Sequence, residues 1–499
     1  MPRKKSPSAR RARPAPVAHR VTVAPRLKGP IDSGPHDRRI LNRLLKLDAG
    51  RVAEFRAAIR EGSERRGLDY VRDSGERILI PIQPVPVLPT RRQLVYLTRV
   101  VKVLNRIVAR VGEARLKDPV LQAMLELSEP ELGWLRLAAK APGHPSRRVF
   151  HRWDAAIELA SDIGASRTRF FEVNSVDVGG VHYSAATREV LLDALASVGV
   201  RGLSLDSSTA GRDPRAVLLA HIREHARDIG RELEFVAIAE NQEFDAGITE
   251  APSLAQYFRD RGVDADCVDP RNFELSRKKV VTFQGKPVDV IYRNIDLRDT
   301  VELEEEGHDL KAFRVAAQQG LLFSSPHGEL DHKSLWEVLG APDHWPSLSP
   351  EERRIVKRHI PWTRLVAERN TQGPKGNMVD LPDYVRRSRR RLVLKPNRAC
   401  GGEGVTIGAV TSQSVWDTTL AEALAAPCTW VAQELIAIPR RRSVIEDDSG
   451  EFTPETVFAV YGLFHSSGGL AVLGRASRHP VVNVMQGGGM LAVLGLPDR

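Results

Sequence analysis

From residue 206 to 325 the chain alternates amphipathic stretches with short apolar runs, and this pattern narrows the possible folds more than any other feature. PRAVLLAHIREHARDIG repeats its apolar residues at helical spacing, EFVAIAE reads as a buried strand, SLAQYFRDRG is helical again, and ADCVD and KKVVTFQGKPVDVIYRN follow as strands. Alternation of this kind predicts an α/β subdomain with a partly parallel sheet over residues 206–325.

The flanking text differs. RVFHRWDAAIELA and SRTRFFEVNSVDVGGVHYS read as two strands of a sheet, followed by the helix TREVLLDALASVG. Residues 326–499 mix long helices with the strands RRLVLKP, VTIGAV, TWVAQELI and FAVYGLF. Upstream, RILNRLLKL and QLVYLTRVVKVLNRIV carry apolar residues at three- and four-residue steps, which predicts a mainly helical region over 41–147. The proline-broken ILIPIQPVPVLP at 78–89 reads as an extended crossing.

With 499 residues, 42 % hydrophobic and 27 % charged, the chain is long enough for two to four domains and is no small disulfide scaffold, fibre or wholly disordered protein. Cys267, Cys400 and Cys428 lie far apart with no CxxC pair, so a disulfide framework and a structural zinc site are not expected. A soluble protein of a reducing cytoplasm is. The net charge of +11 is unevenly spread: residues 1–40 hold eleven Lys or Arg and two Asp, a balance of +9 that leaves +2 for the rest. That head has seven prolines and no regular period, so it reads as a disordered basic arm, and nucleic-acid binding is expected only through it. No segment reads as a signal peptide or a membrane span.

Four constellations could carry chemistry. In LVLKPNRACGGEGVTIG a strand ends at Lys395-Pro396 and runs into Gly401, Gly402 and Gly404, where main-chain N–H groups can approach a phosphate chain beside a lysine charge. In FFEVNS, Glu172 and Asn174 are two apart on a strand and share a face; with Asp154 on a neighbouring strand they suit a hard cation such as Mg²⁺. GRASRHPVVNVMQGGGM carries Arg475, Asn483 and the triplet Gly487–Gly489. WVAQELIAIP ends an apolar strand at Gln433-Glu434, where a dry edge could meet an adenine base. Each has a plain structural alternative: an ordinary hairpin, a solvated strand face, a flexible linker, a buried strand.

Taken together, the set resembles the ATP-grasp superfamily, in its circularly permuted branch of glutathionylspermidine synthetase-like proteins. The usual order is lysine strand and glycine loop, hinge, Arg…Asn…Gly-Gly segment, then acid and Glu-x-Asn. Here the acid and EVN come first, some 220 residues ahead of Lys395, so the order is rotated. FHRWDA, VDVIYRNIDL and FSSPHGELDHKSLWEVL resemble further segments of that branch, and the likeness spans about 148–490. It implies an α/β (α+β) ATP-grasp fold, circularly permuted, with an added N-terminal helical region. The divisions would be 1–40 arm, 41–147 helical region, 148–205 metal-binding part, 206–325 substrate subdomain and 326–499 ATP-binding part.

The resemblance also implies ATP-dependent ligation of a carboxylate to an amine through an acyl phosphate. Asp154, Glu172 and Asn174 would hold Mg²⁺. Lys333 and Lys395 would meet the phosphates of ATP under Gly401, Gly402 and Gly404. Gln433 and Glu434 would frame adenine and ribose, with Asn483 also on the nucleotide. Arg152 and Arg475 would steady the transferred phosphoryl group, and Arg293 would pair with the substrate carboxylate. Where relatives often carry a basic residue in the glycine loop, this chain has Glu403, with Arg398 as a nearby cation. Nucleotide binding without ligase turnover is the alternative.

Overall fold

The computed structural model describes residues 28–72, 74–141, 148–203, 212–242, 250–340, 348–399, 401–482, 484 and 487–494. Its largest sheet has seven strands, organised around the fifteen-residue strand Phe452–Ser466. Alternating apolar residues along that strand feed cores on both faces: Leu463 packs with one cluster and Phe464 with another. One edge of it pairs along its whole outer half with Gly469–Ser477. The other edge is shared in tandem, with Ile438–Glu446 pairing up to Phe458 and Arg152–Ala156 pairing from Tyr461 to Phe464. Arg169–Asn174 then pairs with Arg152–Ala156, setting Asp154 opposite Glu172.

The helix Arg91–Arg115 covers one face of this sheet. Thr90 and Gln93 form its capping box, and Leu94, Leu97, Val101, Leu104, Ile107, Val108 and Val111 form a buried stripe. That stripe joins a single core with Trp153, Phe170, Leu463 and Val472. On the other face lie the helices Val181–Ser197 and Pro214–Asp228.

The alternation at 206–325 yields a four-stranded parallel sheet in the spatial order Leu322–Phe323, Val290–Arg293, Phe235–Ala239, Asp264–Val268. A third sheet is antiparallel and runs Thr363–Leu365, Trp430–Glu434, Leu392–Pro396, Thr406–Ile407. Helices Leu381–Arg387 and Gln413–Ala425 close a small separate core on it through Val385, Trp416 and Leu420.

Two expectations are corrected. The disordered arm does not extend to residue 40: Lys28–Ile31 adds to the large sheet parallel to Ile438–Glu446, and Pro35–Leu44 is a helix. The cause is a buried ion cluster that local composition hides. Arg441, 2 % exposed, meets the carboxylates of Asp32 and Asp37, and Asp32 also accepts from the main-chain N–H of Leu159 at 2.7 Å. Residues 1–27 of the expected arm lie outside the described residues. The stretch VGGVHYS, expected to extend a strand, instead opens the helix Val181–Ser197. Gly180 turns the chain at φ +91°, and the Glu250 carboxylate caps the helix by accepting from the N–H groups of Gly180 (2.7 Å), Val181 (3.0 Å) and Tyr183 (2.6 Å). No helix among the described residues is long and apolar enough to cross a membrane.

Candidate active site

A cleft of about 210 Å³ opens between the small antiparallel sheet and the seven-stranded sheet. Into it come Arg152, Glu172 and Asn174 from two strands of the large sheet, Arg475 from a third, Lys395, Gln433 and Glu434 from the small sheet, and Lys333, Gly401 and Gly402 from loops.

Alternation along the strands decides who faces the cleft. Arg152, Asp154, Glu172 and Asn174 are on one face, while Trp153 and Val173 between them fill the core beneath the long helix. Asp154, 1 % exposed, sits just under the cleft wall. Its Oδ1 accepts from Arg152 Nε (2.9 Å); its Oδ2 accepts from Arg152 Nη2 (3.0 Å), Arg475 Nη2 (2.8 Å) and Asn174 Nδ2 (3.3 Å). Burial pushes this carboxyl up, and Arg152 and Arg475 together outweigh burial and hold it below its ordinary range.

Lys333 is fixed by backbone pairing of its loop to the end of the lysine strand: its N–H donates to Asn397 O (2.9 Å), and Ser334 N–H to Asn397 Oδ1 (2.9 Å). The ammonium donates to Ala399 O and lies 3.5 Å from Glu172 Oε1. Lys395 donates to Gln433 Oε1 (2.7 Å) and stands 5.6 Å from the centre of the Phe171 ring. Burial lowers Lys395 to about 8, partly offset by Glu172 and reinforced by Lys333. Gln433 is 1 % exposed and gives its Nε2 to Thr363 (3.2 Å), so its side chain orients Lys395 and is not directed to a base. Glu434 accepts from Arg169 Nη2 at 2.6 Å on the cleft rim.

Several expected site residues are elsewhere. Arg293 is fully buried, pairs with Glu329 at 3.0 Å and donates to the carbonyls of Ser324 and Ile295 (each 2.9 Å), leaving it no face for a substrate carboxylate. Arg398 makes a two-pronged contact with Glu131 (3.1 and 2.5 Å) and does not line the glycine loop's cleft side, whereas Glu403 does. Gly404 is absent from the lining; at φ +67° it turns the chain back, and a Cβ there would stand 2.7 Å from Pro396 Cγ. Of the glycine triplet, Gly489 owes its place to packing, since a Cβ would meet Pro81 O at 2.5 Å. Asn483 and Cys400 lie outside the described residues.

Sequence reasoning missed a group of acids outside the cleft lining. At the carboxyl end of the parallel sheet stand Glu240 and Asp296, just past the strands Phe235–Ala239 and Val290–Arg293, together with Asp177 and Asp299. Burial, then Glu240 and Asp296, push Asp177 up to about 7. Burial and then Glu329 raise Asp331, whose carboxylate accepts from Ser175 N–H at 2.6 Å, to about 8. The signal was available: acidic residues at strand ends of an open parallel sheet, where ligands gather.

No family model matches the chain, and no curated protein matches it in sequence. Its fold, however, is similar to that of a solved protein. The solved structure in question is a glutathione synthetase-like effector (GSS30) from Globodera pallida in its apo form: TM-score 0.59, 10 % identity, covering 93 % of this chain and 99 % of that one. At that identity the likeness speaks for fold alone.

Proposed function

We propose that the chain is an ATP-dependent carboxylate–amine ligase of the circularly permuted ATP-grasp type. One observation carries the reading: Glu172 and Asn174 meet Lys333, Lys395, Arg152 and Arg475 in one cleft, although Glu172 and Lys395 are more than 200 residues apart in sequence. Four cations around the Glu172 carboxylate and the Asn174 amide, with the Asp154 carboxylate beneath them, suit a polyphosphate with its metal.

The residues fit both groups. Asp154, Glu172 and the Asn174 amide offer only hard oxygen ligands, the choice of Mg²⁺. In the free chain cations stand against those carboxylates, Lys333 on Glu172 and two arginines on Asp154. Arg475 Nε is buried without a partner among the described residues, a donor unspent on the protein and suited to a phosphoryl oxygen. Bound Mg-ATP would supply the phosphoryl group that turns a substrate carboxylate into an acyl phosphate open to an amine. The protein's share is positioning and neutralisation: Lys333 and Lys395 hold the phosphates, Gly401 and Gly402 lie against them, Arg152 and Arg475 steady the group in transfer, and Gln433 orients Lys395. The acids at Asp177, Glu240 and Asp296 favour a protonated amine over a second carboxylate as the incoming partner.

A screen of amino acids, peptides and polyamines for stimulated ADP release, with hydroxylamine to trap an acyl phosphate, tests this reading; a hydroxamate is expected. Glu172→Gln is expected to abolish ADP release with the fold intact by circular dichroism, and near-normal release would reject the metal assignment. Glu403 on the cleft wall favours the second reading, nucleotide binding without turnover, and ADP release separates the two.

A further inference from the structure

A second cavity, of about 390 Å³, shares no lining residue with the cleft. It lies where the strand Arg152–Ala156 begins and the strand Phe452–Ser466 ends, between the helices Arg91–Arg115 and Pro214–Asp228. Its inner wall is made of imidazoles: His151, His221 and His327 are 4 %, 8 % and 3 % exposed.

Buried imidazoles are normally satisfied by the protein. His151 Nδ1 meets Ser175 Oγ at 2.9 Å, and His327 Nδ1 meets Ser325 Oγ at 3.0 Å. His221 differs. Its Nε2 is 4.0 Å from Glu224 Oε2, too far for a hydrogen bond, and its buried Nδ1 has no partner among the described residues. Burial keeps His151 near 4 and His221 well below its ordinary value, so both are neutral and each ring presents one donor and one acceptor.

The mouth is charged. Arg148 is spent on Glu224 (2.5 Å) and Asp228 (2.6 Å), which closes off those acids as well. Lys102 and Arg106 are four apart on one helix, hence on one face, and make no ion pair or hydrogen bond among the described residues. A ring without a hydrogen bond inside, and Lys102 and Arg106 beside the carboxylate of Glu113 outside, make this a polar recess with donors at both ends.

We infer that this cavity is a binding site for a small oxyanion, whose charge meets Lys102 and Arg106 and whose inner polar atom meets His221 Nε2. Carboxylate and phosphate share this chemistry, so citrate and inorganic phosphate are the two probes. Titration calorimetry on the full chain compares the parent, Lys395→Met, which disarms the cleft, and the exposed pair Lys102→Ala/Arg106→Ala. Binding that persists in Lys395→Met and weakens at least about tenfold in the double variant is expected, two charge-assisted contacts being lost. The tighter probe identifies the source. Binding lost in Lys395→Met and kept within threefold in the double variant would assign the anion to the cleft and overturn the inference. Absence of binding by either probe at millimolar concentration would overturn it too. Neither outcome bears on ligase turnover, which is read by ADP release.

Discussion

Lys395 is where desolvation and charge compete most directly. Its ammonium is buried, titrates at about 8 instead of 10.5, and is held in place by Gln433. In the proposed site the protonated form is the one that would meet a triphosphate. Nucleotide affinity, followed by calorimetry, is therefore expected to be level below pH 7.5 and to fall as pH rises through about 8, a fall that Lys395→Met removes. Stability has the opposite sign. A lysine lowered in the folded state binds fewer protons there than in the unfolded chain between about 8 and 10.5, so its burial cost is relieved as pH rises across that window. A pH-independent affinity in the parent chain would contradict the placement of Lys395 on phosphate. Lys395 and Glu172 were legible in the sequence because a lysine at a strand end before glycines, and an acid-amide pair two apart, are local patterns. Arg293 was misread for the converse reason: its partner Glu329 is 36 residues away and only folding brings it to 3.0 Å.

Among the elements, the glycine turn after the lysine strand and the N-terminal strand have the clearest mechanical roles. Gly404 combines φ +67° with a close approach to Pro396, so Gly404→Ala adds left-handed strain of about 1–2 kcal/mol to a steric clash. A lowered denaturation midpoint and weaker nucleotide binding are expected together; a change in neither would mean the loop reshapes freely. The strand Lys28–Ile31 and helix Pro35–Leu44 are tied to the sheet by Arg441 between Asp32 and Asp37. Arg441→Leu strands two buried carboxylates and is expected to cost about 3–5 kcal/mol in guanidinium unfolding. A loss under about 1 kcal/mol would show that this attachment is dispensable. Hydrophobic period revealed most helices and strands. It placed the start of the helix Val181–Ser197 at Thr187, six residues late, because the N-terminal cap comes from Glu250, a residue 69 positions downstream of Val181.

For the molecule as a whole, the mainly helical region over 41–147 shares its core with the large sheet. The stripe Leu97, Leu104, Ile107 and Val111 shares one core with Trp153, Leu463, Val472 and Leu491. Removal of residues 1–147 is therefore expected to abolish cooperative unfolding, seen as the loss of the main calorimetric peak, whereas an intact peak would make the N-terminal helices an independent domain. By itself the sequence determined the alternation that builds a parallel sheet and the lysine-glycine and Glu-x-Asn patterns, since each depends on residues near one another in the chain. Only the tertiary structure decided which charges meet: that Arg293 and Arg398 are consumed by Glu329 and Glu131, that Gln433 serves Lys395, and that residues 28–40 fold onto the sheet. The reason is physical. Periodicity and turn chemistry are local, whereas the energy of a buried charge depends on partners that the chain supplies from tens to hundreds of residues away.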